Sequence, residues 1–281
     1  MKTILRTFVG CTAILFGTAC MGAVKYVPEN MKVELSLKVP GNNAVNYKLH
    51  PDKLENSYFD YEWRSDNKLP ITVFHKVEER DSCMRLTVQL TAAQDVYFNY
   101  RQLLSTGYRH DNCQFYMPGF WYRRNLRSPK KAPSFHTSDS WLVREDRLSA
   151  PLTGIFSEKE KRFMTVNRLD DFSMDALATH KEGEIILSGK TSLGFTGFEN
   201  QQGIAMLSFG FPYREAPKSY IRKLTLAPEV EAFQLMKKGE SVLLTWEIME
   251  VVRMIFQTLY SIHGSIVMIP MHQNQWRIHI L

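Results

Sequence analysis

From about residue 30 to residue 250 the chain alternates apolar and polar side chains in short runs, separated by turn residues. Neighbouring side chains of an extended strand point to opposite faces, so period-two runs are half-buried strands. Val33, Leu35, Leu37 and Val39 alternate with Glu34, Ser36 and Lys38. Residues 58–63 are aromatic-rich, 84–90 alternate again, and Val96, Phe98 and Tyr100 follow. Further strands are predicted at 115–122, 141–144, 155–156, 163–166, 185–187, 203–211, 220–226 and 241–248. The charged run 158–162 between apolar pairs predicts a hairpin tip. Only 229–238 reads as a helix. So many strands specify an all-β chain, a large antiparallel two-sheet β-sandwich of the supersandwich kind, forming one domain over 23–250.

Both ends depart from this pattern. Lys2 and Arg6 precede an apolar run over 7–16, too short to span a bilayer, then small residues at 17–19. That order is an export signal, placed at 1–22. Lipoprotein processing would make Cys20 the lipidated N-terminus, the one route to a membrane, although Gly17 stands where such signals prefer leucine. Export places the protein in the periplasm or at the outer membrane. Loss of Lys2 and Arg6 lowers the formal charge from +6 to +4. Cys83 and Cys113 then remain within the fold, able to pair in an oxidising compartment or to stay as separate buried thiols. The 251–281 segment holds no Asp, Glu or Lys, while the whole chain is 23% charged. Its permitted codons contain an open alternate frame that is acidic and aromatic. A frameshifted remnant of a linker is one account of this tail, and a genuine end is the other.

Most chemical signatures fail on spacing. Residues 183–191 place five residues between the glycines of a phosphate-loop pattern that needs four, and they sit on strand-like sequence. No motif asks for a metal or a cofactor, and the histidines are scattered. Asp170 and Asp171 suit a turn better than a catalytic pair. An enzyme of mutarotase or lyase type would need a histidine beside a carboxylate, for which His136 with Glu145 or Asp146 is the one nearby choice.

One stretch, 117–151, concentrates aromatic and basic residues: Trp121, Tyr122, Arg123, Arg124, His136, Trp141, Arg144 and Arg147. Aromatic faces stack on the C–H faces of sugar rings, and guanidinium forks match carboxylates. Trp121, Tyr122 and Trp141 are therefore candidate sugar platforms, the alternative being that Trp121 and Trp141 belong to the core and the basic run is solvated surface. Arg123, Arg124 and His136 are candidates to hold a carboxylate or hydroxyls. The ligand is expected to be a poly- or oligosaccharide that includes uronates; export argues against nucleic acid.

The strings MPGFWYRRN (117–125), SWLVREDRLSAPLTGIFS (140–157), FGFPYREAP (209–217) and 223–248 carry a family resemblance. The chain resembles exported proteins from polysaccharide-degrading loci of gut bacteria. In these a β-sandwich precedes an (α/α)6-toroid glycoside hydrolase domain, as in β-glucuronidase-like enzymes. The resemblance covers about 25–250 and implies a truncated protein. Acid and base residues of such enzymes lie in the helical domain, so none is assigned here. It also implies that the helical domain is the natural partner and that the sandwich alone hydrolyses nothing. A free-standing glycan-binding protein is the alternative.

Overall fold

The computed structural model describes residues 20–22, 25–80, 83–124, 138–170, 180–182, 185–217, 220–222, 225–226, 230–252, 269–271 and 275–277. Most of the predicted export signal, most of the tail, and His136 lie outside these residues.

The chain opens with β1 (Cys20–Gly22), β2 (Met31–Lys38), β3 (Val45–Lys53), β4 (Tyr61–Arg64) and β5 (Ile71–Glu79). It continues with β6 (Cys83–Ala92), β7 (Val96–Arg109), β8 (Cys113–Met117), β9 (Trp121–Arg123) and β10 (Ser140–Arg144). Next come β11 (Leu152–Ser157), β12 (Arg162–Arg168), β13 (His180–Glu182), β14 (Ile185–Ser188), β15 (Phe195–Gln201) and β16 (Ile204–Phe211). The last strands are β17 (Arg214–Glu215), β18 (Tyr220–Arg222), β19 (Thr225–Leu226), β20 (Val230–Met236), β21 (Ser241–Val252), β22 (Ile269–Met271) and β23 (Gln275–Arg277). The helical elements among the described residues are short 3-10 turns, at Pro28–Asn30, His110–Asn112 and Glu145–Arg147.

The first sheet runs β9, β8, β11, β12, β21, β6, β5, β4, β3. The second runs β3, β2, β7, β16, β15, β10. Beyond the end of β16, β20 pairs with β7 and carries β14 and β17. Apart from the parallel pair β14–β20, the pairing within these sheets is antiparallel. Strand β3 belongs to both sheets: residues 45–49 pair with β2, and 50–53 with β4. The sandwich is therefore closed along one edge, with Pro51 just past the crossing.

Alternation sends one side of each sheet inward. Leu35, Phe98 and Tyr100 of the second sheet share a buried cluster with Leu86, Val88, Leu244 and Trp246 of the first. The rings of Phe209 and Trp246 meet across the sandwich at 5.2 Å. Each large apolar side chain buried this way contributes about 1.5–3 kcal/mol.

The predicted hairpin forms, as β11 and β12 around a turn at 158–161. Two expectations change, and of the two states open to the cysteines one is found. Of the 229–238 segment, the described residues 230–238 form no helix: β20 is inserted between β7 and β14 with Ala232 and Phe233 buried, and sheet pairing overrides their modest helix preference. The 115–122 strand is broken at 118–120 into β8 and β9, where Gly119 takes φ +80° with its α-carbon against Ser149. A side chain there would be strained and would overlap the Ser149 hydroxyl. Finally, Cys83 and Cys113 stay separate buried thiols. Strands β21, β12 and β11 lie between β6 and β8, so four interstrand steps set the two apart by roughly 19 Å, far beyond disulfide reach. Cys113 instead donates to the Arg109 carbonyl at 3.1 Å, and burial pushes its thiol up to about 12.

Candidate functional site

Strand β9 decides the fate of the aromatic-basic stretch. Its pairing with β8 sets Trp121 opposite Met117 and Tyr122 opposite Tyr116, and adjacent residues face opposite ways. Trp121 is wholly buried, and Trp141, on the far sheet's edge strand β10, is 2% exposed. The two indoles meet at 5.1 Å and seal the sandwich edge opposite β3. Their N–H groups donate to backbone, Trp121 to the Arg123 carbonyl at 2.8 Å and Trp141 to Ser138 at 3.2 Å. Neither ring can stack on a sugar, so the platform expected of them is corrected to a core role.

Tyr122 emerges instead. Its ring is 41% exposed and stands edge-on to Tyr116, while its hydroxyl accepts the Gly119 N–H at 2.9 Å. Arg123 follows, exposed and with φ +60°. Arg124 turns back on the fold: its guanidinium donates to the backbone carbonyls of Cys113, at 3.1 Å, and Asp111. It ties the His110–Asn112 turn to β9, which corrects its expected ligand role. His136 lies outside the described residues.

Further along the same stretch, residues 144–147 form a network of ion pairs. Glu145 is wholly buried, and its Oε2 accepts Arg168 Nη1 at 2.7 Å and the Gly194 N–H at 2.8 Å. Burial still raises the Glu145 pKa, because these donors only partly replace its hydration. Asp170, just past β12, accepts the Thr245 N–H of β21 at 2.7 Å and Arg168 Nε at 3.2 Å, while Asp171 lies outside the described residues. Arg144 forks onto Asp146 at 2.9 and 2.6 Å and lies over the Tyr213 ring. Arg147 Nε sits 2.9 Å from Glu215 Oε1, yet without the alignment of a hydrogen bond. Burial therefore dominates and pushes the Glu215 carboxyl up to about 7. Glu145, the expected partner of His136 in proton transfer, is sealed inside against Arg168, and His136 itself lies outside the described residues. Asp146 is spent on Arg144.

The outer face of the first sheet is the broad surface that Tyr122 joins. Tyr122, Tyr116, Gly154, Thr165, Met249 and Cys83 form one cross-strand row, and Glu78, Arg85, Glu247 and Asn167 a neighbouring one. At the Tyr122 end Tyr116, Phe156, Phe163 and Val251 form a buried cluster. Gly154 makes this possible, since a β-carbon there would overlap the Phe163 ring.

The other end of the face is open. Glu62, Phe74, Gln89 and Leu243 make a row across β4, β5, β6 and β21, with Leu243 60% exposed. Phe59 stacks on Phe74 at 5.3 Å and 25°, and Tyr58, 70% exposed, stands edge-on to Phe59. Lys76 Nζ lies 3.9 Å from the centre of the Tyr58 ring. The aromatic-rich 58–63 stretch is not a single element. Tyr58 and Phe59 instead lie in the turn before β4, and the serine and asparagine at 56–57 were the signal for it.

Fold and surface together define a two-sheet sandwich with one outer face aromatic at both ends. Neither a known protein family nor a curated protein matches the chain. Among solved structures it is similar to a polysaccharide lyase, at 13% identity and a TM-score of 0.35. That match covers 78% of this chain and 25% of the lyase, so the chain spans about a quarter of that protein's length. Among the described residues no three His, Cys, Asp or Glu side chains are grouped to hold a metal.

Proposed function

We propose that this chain is a carbohydrate-facing β-sandwich, the ancillary domain of an exported polysaccharide-degrading glycoside hydrolase, which binds glycan without cleaving it. The observation that carries this reading is the turn of β9, which buries Trp121 and leaves Tyr122 and Arg123 at the surface. A surface aromatic ring, Tyr122 being 41% exposed, beside a guanidinium suits a saccharide that bears carboxylates. Ser149, just past the Glu145–Arg147 turn, supports it from behind: its N–H donates to the Pro118 carbonyl at 2.9 Å and fixes the turn that leads into β9. Export and a helical catalytic partner belong to the same reading.

Calorimetric titration of the chain with tetragalacturonate tests it. Tyr122→Ala with Arg123→Ala is expected to weaken binding by roughly tenfold or more, with unfolding unchanged. Equal affinity in wild type and variant would defeat the assignment. Incubation of the chain alone with polyuronate is expected to release no new reducing ends.

A further inference from the structure

We infer that the aromatic group Tyr58, Phe59 and Phe74 is a second glycan site, selective for neutral pyranose rings. It shares with the preceding proposal only the general class of ligand. It lies at the opposite end of the same sheet face, six interstrand steps (roughly 29 Å) across the strands and six residues (about 20 Å) along them from Tyr122.

Three observations support it. The first is exposure. Large aromatic rings are normally turned inward, yet Tyr58 is 70% exposed in a turn whose other ring, Phe59, is braced flat on Phe74. Phe74 is fixed in turn by β5 pairing on both sides. The platform is therefore preorganised, and stacking on it costs little ordering entropy.

The second is the rim. Glu62 and Gln89 flank Phe74 in the same cross-strand row, and Thr87 flanks Lys76 in the next. These side chains supply both donors and acceptors beside an apolar ring face. A pyranose needs that combination, because its C–H faces are apolar and its hydroxyls ring the edge. A second protein surface would instead favour a wider apolar patch with charges cleared from its centre.

The third is charge. Arg64 pairs with Asp52 at 2.9 Å and also with Glu62, while Lys76 and Arg80 pair with Glu78 at 3.5 and 3.1 Å. Three cations thus meet three carboxylates, and Asp60 adds a further negative charge, its Oδ2 accepting the Val77 N–H. Lys76 is held over Tyr58 as well as beside Glu78. With Arg64, Lys76 and Arg80 each held by a carboxylate and Asp60 adding negative charge, a uronate gains little here and a neutral ring loses nothing.

Titration of the full chain with xylohexaose, cellohexaose and mannohexaose tests the site, with tetragalacturonate run in parallel. At least one neutral hexasaccharide is expected to bind. Tyr58→Ala should weaken that binding roughly tenfold. Tyr58→Trp should preserve it. Because Tyr58 is so exposed, the alanine variant should unfold at the wild-type temperature. Absence of binding to all three neutral probes, or equal affinity after Tyr58→Ala, would overturn the inference. So would a wild-type dimer, in sedimentation velocity, that Tyr58→Ala dissociates, since the platform would then be a contact between copies. Loss of tetragalacturonate binding alone would count against the Tyr122 site and leave this one standing.

Discussion

His75 lies in the core between two tyrosines, its Nδ1 3.1 Å from the Tyr26 hydroxyl and its Nε2 2.7 Å from that of Tyr100. A neutral imidazole has one donor and one acceptor, so one tyrosine donates to it and the other accepts. Burial holds its pKa down to about 3. The unfolded chain takes up a proton near pH 6.5 and the folded chain does not, so stability falls as pH drops from about 6.5 toward 3. Glu215 acts with the opposite sign. Its folded pKa of about 7 stands above the ordinary 4.5, so its contribution is full below 4.5 and is lost as pH rises toward 7. Urea unfolding between pH 4 and 8 is expected to show an interior optimum, and Glu215→Gln should flatten its neutral side. Arg168→Met leaves the Glu145 carboxyl buried beside Asp170 with its main partner gone, and should cost roughly 3–5 kcal/mol in the same assay. None of these partners was visible in the sequence. Alternation says that residue 75 or 145 points inward, but not which group from a distant strand meets it.

At the scale of elements, period two carried most of the information and was also where a reading failed. Trp121 and Tyr122 look like one platform when written side by side, yet adjacent residues of β9 face opposite sides of the sheet. The same rule, applied beforehand, allows only one of them to meet a ligand. The β20 segment failed for another reason: a seven-residue strand buried on both faces shows no alternation, and its short apolar run can pass for a helix. The cysteine pair could not be judged without strand order, because β12 and β21, far apart in sequence, come between. Alkylation without reductant should therefore modify both Cys83 and Cys113 in the denatured chain. Gly197→Ala tests the edge closure: its β-carbon would overlap the Trp141 carbonyl, separating β10 from β15. A loss of roughly 1–3 kcal/mol is expected, with faster amide exchange over 140–144.

For the molecule as a whole, the two-sheet sandwich was legible from strand number and turn spacing. The β3 crossover was not, because no local pattern distinguishes a strand that changes sheets from one that stays. The proposed binding face was half legible: composition drew attention to the stretch around Tyr122, but the Tyr58 end arises only when β4, β5, β6 and β21 are laid side by side. The central claim is that glycans meet the outer face of the first sheet while the core aromatics stay out of reach. Hydroxyl-radical footprinting with and without a mixture of tetragalacturonate and neutral hexasaccharide tests it in one experiment. Protection of Tyr58 and Tyr122, with Tyr47 of the other sheet unchanged, is the predicted result. Protection confined to the second sheet, or none at saturating sugar, would contradict it.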